Sequence, residues 1–277
     1  MTSVIIPTFN RAAFLREAMD SVLAQTAEVF ELIVIDDGST DHTAELVAEY
    51  GNRVRYCFQP NAGASAARNL GIRHAAGKFI SFLDSDDLWL PRKLERQLEW
   101  MAAHPHLLLC YTDEIWIRRG VRVNQKNIHA KSGGWIYPLC LPRCIISPSS
   151  VIMRRELFDT VGLFDEQLPV CEDYDLWLRV ASRFEVGFIP EPLIVKRGGH
   201  AGQLSQREWG IDRYRVKALL KIYESNLLEE TNRRLTGAMI CEKCKILENG
   251  SRKREKISEA EFYANLQARF CADAQKL

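Results

Sequence analysis

No apolar run in the 277 residues approaches the ~20 that a membrane-spanning helix needs. The opening MTSVIIPTFN has no basic stretch ahead of a long apolar core, so no signal peptide is expected. The eight cysteines are scattered and do not form the dense framework of a small secreted domain, which makes a reducing, cytoplasmic setting the simplest expectation. Neither sign of charge dominates. Lys and Arg total 37 against 36 Asp and Glu, so net charge supplies no reason to expect nucleic acid as a partner. No repeat of fixed period and no low-complexity segment is present. The first apolar run ends in PTFN. A nucleotidyltransferase would be expected to carry a glycine-rich basic loop there, and an aspartyl-phosphate type phosphotransferase a nucleophilic Asp.

What is present is an alternation, with 47% hydrophobic residues, enough to bury a real core. SVIIPT, ELIVID, RVRYCF and KFISFL are short apolar runs that read as buried strands. RAAFLREAMDSVLAQT, with Leu15, Met19 and Val22 at helical spacing, lies between them, as do AELVAEY and AARNLGIRHAA. Pro91 suits the first turn of a further helix, whose Leu94, Leu98 and Met101 share an apolar face. Apolar strands separated by helices predict an α/β fold with a mostly parallel central sheet and helices on both faces. After residue 105 the regularity falls. LLLCYTDEIWI, GVRVNQ, SVIM, EVGFI and LIVKR read as strands, RRG at 118–120 as a hairpin turn, and EDYDLWLRVASRF as a helix. From Ser205, which has capping-box spacing to Glu208, the character turns helical. Trp209, Val216, Leu219, Leu220, Tyr223 and Leu227 form a stripe, and two further helical stretches follow, split by ENGSRKRE. The expected division is a domain over 1–205, with halves 1–105 and 106–205, and a helical appendage over 206–277.

In an open parallel sheet, ligands bind beyond the carboxyl ends of the strands. Pro7 and Thr8 follow the first strand, Asp36 and Asp37 end the second, QPNAGAS leaves the third, and Asp84 follows the fourth. These loops should open on one crevice. Taken singly, Asp37-Gly38 is turn chemistry and DSDD a helix start. Taken together, they crowd carboxylates that raise one another's pKa unless a cation or donor compensates. Mg²⁺ or Mn²⁺, held by one or two carboxylates plus substrate phosphates, is the usual remedy. DSDD therefore reads as a metal–phosphate site, with Asp87 helping to start the following helix.

Five segments, SVIIPTFNR, VIDDGSTDHT, NAGASAARNLGI, GKFISFLDSDD and EDYDLWLR, occur in the order and spacing seen in family 2 glycosyltransferases. Over roughly residues 2–200 the chain resembles that family. The resemblance implies the GT-A fold, a Rossmann-like sheet with a smaller acceptor-binding half. It also implies transfer, usually with inversion, of a sugar from a nucleoside diphosphate, most often UDP, to an acceptor hydroxyl in polysaccharide or glycolipid assembly. Matched position by position, it implies that Pro7 and Thr8 contact the nucleobase and that Asp37 hydrogen-bonds it. Arg68 would lie on the base or phosphates, Asp84 near the ribose or metal, and Asp86 on the metal. Asp173 would be the catalytic base. His200, in KRGGHAG where the family has R-x-H, looks like the late histidine that approaches the metal or pyrophosphate. The implied cofactor is Mn²⁺ or Mg²⁺, and the implied partners are a nucleotide-sugar donor and a carbohydrate or lipid-linked acceptor.

The chemistry makes two demands. The leaving diphosphate gathers negative charge, which a divalent ion meets as a Lewis acid. The acceptor hydroxyl must lose a proton, which a positioned carboxylate accepts. Asp173, Leu176, Trp177 and Val180 share a helix face, so Asp173 is expected at the inner end of a buried stripe with a raised pKa, and Asp175 off it. Glu172 either orients the acceptor or caps the helix. Arg179 has a structural or salt-bridge role. Trp135, among glycines, lines the acceptor site or packs. Cys241-x-x-Cys244 lacks two further matched ligands and does not predict zinc. Cys140 and Cys144 read as buried or partly exposed thiols. RKREK at 252–256 reads as a solvated turn, with an anionic membrane surface as the sharper alternative. The competing functions are a nucleotidyltransferase or phosphotransferase on a similar sheet and a non-catalytic sugar-nucleotide binder, against which last the presence of both Asp86 and Asp173 argues.

Overall fold

The computed structural model describes residues 1–29, 31–200 and 210–274. Nine strands are described: β1 Thr2–Thr8, β2 Glu31–Asp36, β3 Arg55–Phe58, β4 Phe79–Phe82, β5 Leu88–Trp89, β6 Leu109–Arg118, β7 Val121–Val123, β8 Val151–Arg154 and β9 Gly187–Gly198. The helices among the described residues are α1 Ala12–Leu23, α2 Thr43–Ala48, α3 Ala64–His74, α4 Lys93–Ala103, α5 Tyr137–Cys140, α6 Glu156–Val161, α7 Glu172–Ala181, α8 Asp212–Glu224, α9 Glu230–Arg252 and α10 Ile257–Ala274.

The strands form one sheet in the order β3-β2-β1-β4-β8-β6-β9-β5, with β7 on β6. The pairs among β1 to β4 are parallel, β8 runs antiparallel to β4 and β6, and β6 pairs with β9 in parallel. The mostly parallel α/β sheet expected from the alternation is therefore present. Side chains alternate across a strand, so β1 feeds two cores. Val4 and Ile6 pack with Leu15, Met19 and Val22 of α1, whereas Ile5 joins Ala67 and Ile72 of α3 on the other face. Gly71 lets α3 sit close, since a Cβ there would lie 2.4 Å from Ile5 Cγ2. Pro7 fits inside β1 because its missing N–H faces the side where pairing with β4 has already stopped at Ile5–Phe82.

Three expectations are corrected. EVGFI and LIVKR are one strand, β9, which passes through Pro190 and Pro192 where the register against β6 shifts beside Asp113. α9 continues through Glu248–Arg252, so the break between the last two helices falls at 253–256, where Glu255 has a φ of 59°. Cys241 is disulfide-bonded to Cys271, joining α9 to α10, a pairing at odds with the reducing setting expected from the scattered cysteines. Sequence periodicity carries no information on which distant thiols meet. The hairpin at Arg119-Gly120 is as expected, with both residues at positive φ (51° and 77°).

The C-terminal helices share the main core. Val216, Leu219, Ile240, Cys244 and Phe270 belong to the same hydrophobic cluster as Ile5 and Trp177. Tyr137 Oη lies 2.7 Å from Thr236 Oγ1, and Lys243 Nζ donates to the Pro142 carbonyl at 3.1 Å. The boundary at 205, the Ser205/Glu208 capping box and Trp209 lie outside the described residues.

Candidate active site

At the carboxyl end of β4 the chain turns through Asp84, Ser85, Asp86 and Asp87, closed by Asp87 N–H donating to the Asp84 carbonyl at 2.9 Å. Ser149 ties the turn from below. Its hydroxyl donates to Asp87 Oδ2 (2.6 Å) and accepts from Asp84 N–H (3.1 Å), while Arg197 N–H donates to Asp87 Oδ1 (2.9 Å). Asp87 is thus a buried brace. It does not start a helix, because β5 follows and α4 begins only at Lys93. Burial, then the neighbouring Asp84 and Asp86 carboxylates, push its pKa well above the usual range. Asp86 is itself buried at 7% exposure, and its Oδ2 meets Arg11 Nη1 at 2.7 Å and His200 Nε2 at 2.9 Å.

At the ends of β1 and β2, Asp37 N–H donates to the Thr8 carbonyl at 2.9 Å. The Asp37 carboxylate gathers the loop after β3, accepting from Gln59 Nε2 (2.6 Å), Ala62 N–H (2.8 Å) and Gly63 N–H (2.9 Å). A carboxylate offers about four acceptor positions, so one remains for a ligand donor. Thr8 Oγ1 is buried with no hydrogen-bond partner, and Pro7 beside it is half-buried. Asp36 is the inward member of the pair, held by Tyr56 Oη (2.7 Å) and Ser39 N–H (2.8 Å).

Arg68 corrects an expectation. It lies under the crevice with its side chain 5% exposed, bridging Asp84 (2.7 Å) and Glu172 (2.6 Å). Its guanidinium answers the buried Glu172 and the half-buried Asp84 and so is not turned to a base or phosphate. Glu172 is correspondingly sequestered from an acceptor. Burial pushes its pKa up to about 7; Arg68 opposes the shift and Asp173 adds to it.

Asp173, next along α7, opens on a cleft of about 340 Å³ between β6, β9, the 144–147 segment and α8. Its Oδ2 accepts from Cys144 Sγ at 3.2 Å and its Oδ1 from Tyr174 N–H at 2.7 Å. Asp173 is half-buried, while Asp175, expected off the buried face, is sealed at 2% exposure by Arg179 (2.7 Å) and Lys221 (3.1 Å). The face looked polar only because α8, which covers it, is distant in sequence. Trp135 is 63% exposed and is not among the residues lining the cleft.

Several site residues carried no periodic signal: Arg11, Cys144, Ser149 and Arg215. Lys196 and Arg197 had one, since they approach the end of β9 as the acids end β2 and β4. Lys196 lines the cleft; burial lowers its pKa, but Glu114, Asp87 and Asp84 outweigh that and hold it above the ordinary lysine value.

Among the described residues, no three His, Cys, Asp or Glu side chains converge as a complete metal centre. Asp86 and His200 do converge, giving a carboxylate and an imidazole. The carboxylate is the kind of oxygen ligand that Mn²⁺ or Mg²⁺ takes beside phosphate oxygens and water, and Arg11 shares the same Asp86 oxygen at 2.7 Å.

The model of the family described as "Glycosyl transferase family 2" matches residues 3–162. An uncharacterized glycosyltransferase of Rickettsia prowazekii is 33% identical over 220 residues, covering 73% of this chain and 65% of that protein. The matches to other rickettsial relatives span 64% of one and about a third of others. The Escherichia coli UDP-Glc:alpha-D-GlcNAc-diphosphoundecaprenol beta-1,3-glucosyltransferase is 33% identical over 199 residues, covering 68% of this chain and 75% of that one. The fold matches S. aureus TarS 1–349 in complex with UDP-GlcNAc, with a TM-score of 0.77 at 21% identity over 99% of this chain and 81% of that one. It also matches the Pyrobaculum calidifontis mannosyltransferase PcManGT in complex with GDP-Man and Mn²⁺, with a TM-score of 0.62 at 19% identity over 99% and 86%.

Proposed function

This chain belongs to glycosyl transferase family 2, and we propose that it moves a sugar from a UDP-sugar to an acceptor hydroxyl with inversion at the anomeric carbon. The observation that carries the proposal is the Arg68 bridge. By holding Asp84 and Glu172 at 2.7 and 2.6 Å, it sets the acidic turn of β4 beside the first turn of α7, which bears Asp173. Donor-side and acceptor-side groups thereby share one crevice.

In this proposal Pro7, Thr8 and Asp37 receive the nucleobase, and Asp84 lies by the ribose or the metal. Asp86 and His200 hold Mn²⁺ or Mg²⁺, whose contribution when bound is to neutralise the leaving diphosphate. Asp173 takes the proton of the acceptor hydroxyl as its oxygen bonds to the anomeric carbon and the bond from that carbon to the diphosphate oxygen breaks. Arg68 and Glu172 act as positioning residues. Residues 1–105 form the nucleotide half and 106–205 the acceptor half, and the 206–277 segment adds Arg215 to the cleft.

UDP as the nucleotide is supported by the UDP-glucose and UDP-GlcNAc named for two similar proteins, and an ion by the Mn²⁺ named for a third. A role in polysaccharide or glycolipid assembly follows the E. coli relative. Peripheral contact with a lipid-linked acceptor is part of this proposal, and no described helix is long and apolar enough to cross a membrane.

A thermal-shift panel of sugar nucleotides, with and without Mn²⁺, tests this directly. Stabilisation by a UDP-sugar that grows with Mn²⁺ is expected, and it should be lost in Asp86→Asn. Asp173→Asn should still bind the donor while transfer stops. Wild-type turnover by Asp173→Asn would overturn the base assignment, and no Mn²⁺-dependent stabilisation by any sugar nucleotide would overturn the function.

A further inference from the structure

The cleft beyond Asp173 is built for more than a neutral sugar. Arg118, Lys131, Lys196, Arg197 and Arg215 line it against two carboxylates, Glu114 and Asp173. If Asp173 serves the acceptor hydroxyl, Glu114 is the one lining carboxylate left for the cations. It is already shared, lying 3.0 Å from Lys131 Nζ, accepting from Trp116 Nε1 at 2.7 Å, and standing close enough to Lys196 to raise that lysine's pKa. Asp113 adds a looser contact to Lys131 at 3.6 Å, and it is 39% exposed. Behind the cleft, Asp212 is divided between Arg215 (2.9 Å) and Lys243 (3.1 Å).

The donors are also incompletely used. The Lys131 side chain is 3% exposed, and its Nζ, with three protons to give, has the Glu114 carboxylate at 3.0 Å as its near partner. Arg215 Nε is buried without a hydrogen-bond partner. A buried donor left unmade costs about 1–3 kcal/mol. Arg215 Nε and the Lys131 protons not taken by Glu114 together make a demand for acceptor oxygens at one cleft. Neutral sugar hydroxyls satisfy such donors weakly, whereas phosphate or carboxylate oxygens form shorter, charge-assisted bonds with Arg and Lys.

We propose that the acceptor is anionic and that Lys131 and Arg215, with Arg118 at the mouth, seat a phosphate or carboxylate group of the acceptor beside Asp173. This rests on the glycosyltransferase function proposed above and narrows its acceptor class. The anion has two sources, a diphosphate linking the sugar to a carrier lipid or the carboxylate of a uronic acid residue. Arg215 gives the C-terminal helices a part in specificity, since it reaches the cleft from α8.

The test is isothermal titration of the full chain, with saturating UDP to fill the donor side. Three probes share a decyl chain: a decyl diphosphate N-acetylglucosamine, a decyl glucuronide and a neutral decyl glucoside. At least one anionic probe should bind ~10-fold or more tighter than the neutral one, as expected for one or two charge-assisted bonds. Arg215→Gln and Lys131→Gln should each collapse that gap, and Arg118→Gln, an exposed substitution compatible with folding, should narrow it. Preference for the diphosphate probe points to the carrier, and preference for the glucuronide to the glycan. Equal binding of all three probes, or a gap that survives all three substitutions, overturns the proposal. UDP binding is read separately, so failure of the donor assignment and failure of the anion seat are distinguishable.

Discussion

Replacing Arg68 with Met removes the cation between two carboxylates, and the cost should depend on pH in a defined direction. Arg68 makes charge-assisted contacts of 2.6 Å to Glu172 and 2.7 Å to Asp84, in a site where its own side chain is 5% and that of Glu172 6% exposed. Glu172 titrates at about 7 in the folded protein, raised from 4.5 by burial. Because the folded value lies above the unfolded one, its stabilising contribution is fully present below about pH 4.5 and is lost as pH rises through about 7. Arg68 acts against that rise, so its removal lifts the folded value further and makes the variant hold its proton to higher pH. Near pH 6, where Glu172 is largely protonated in the wild type, the variant loses mainly hydrogen bonds, about 1.5–3 kcal/mol. Near pH 8.5 it must either take up a proton from a scarce supply or bury an unpaired charge, and the loss approaches about 3–5 kcal/mol. The slope between is bounded at about 1.4 kcal/mol per pH unit for one proton. Denaturant titrations of both proteins at the two pH values measure this difference. A loss that is the same at both, or below about 1 kcal/mol at the higher, would refute the bridge as the element that sets Glu172 and the acidic turn together.

Three further outcomes follow from the same geometry. Cys144→Ala frees Asp173 Oδ2 from its 3.2 Å thiol contact and should lower kcat for transfer by up to about tenfold while leaving donor binding intact; Cys144→Ser, which can still donate, should recover most of it, and equal loss in both would remove Cys144 from the positioning of the base. Gly38→Ala should cost about 1–3 kcal/mol and weaken UDP binding, because Gly38 has a φ of 87° and its new Cβ would stand 2.7 Å from Asn61 N; unchanged UDP affinity would mean that this loop does not receive the nucleotide. Ser149→Ala leaves buried Asp87 without its 2.6 Å donor and should destabilise the protein by about 1–3 kcal/mol while reducing the Mn²⁺-dependent part of the UDP-sugar thermal shift; an intact metal response would uncouple the brace from Asp86.

The nucleotide half was legible because its signals are local. Val4, Ile5 and Ile6 announce a strand by composition, and the rule that ligands gather beyond strand ends places Asp37 and Asp84 without any knowledge of packing. The acceptor half was legible only in its elements. In the sequence Arg68 reads as a ligand contact, yet it answers Glu172, 104 positions away. Asp175 reads as peripheral, yet Lys221, 46 positions later, covers it. Cys144 reads as a plain thiol, yet it donates to Asp173, 29 residues on. Charge pairing of this kind leaves no period in a sequence, because any sufficiently long side chain can meet any other once the backbone brings them together.

The sequence by itself determined the alternating strands and helices, the edge of the sheet at which the acids collect, and the family motifs. These rest on backbone periodicities of two and 3.6 residues and on turn chemistry, which act over a few positions. Tertiary structure alone decided which acids are braces and which face the crevice, that Arg68 lies beneath the site, and that α8 adds Arg215 to the cleft holding Asp173. Those outcomes depend on burial and on partners drawn from distant segments, and burial is a property of the packed chain that no local stretch contains.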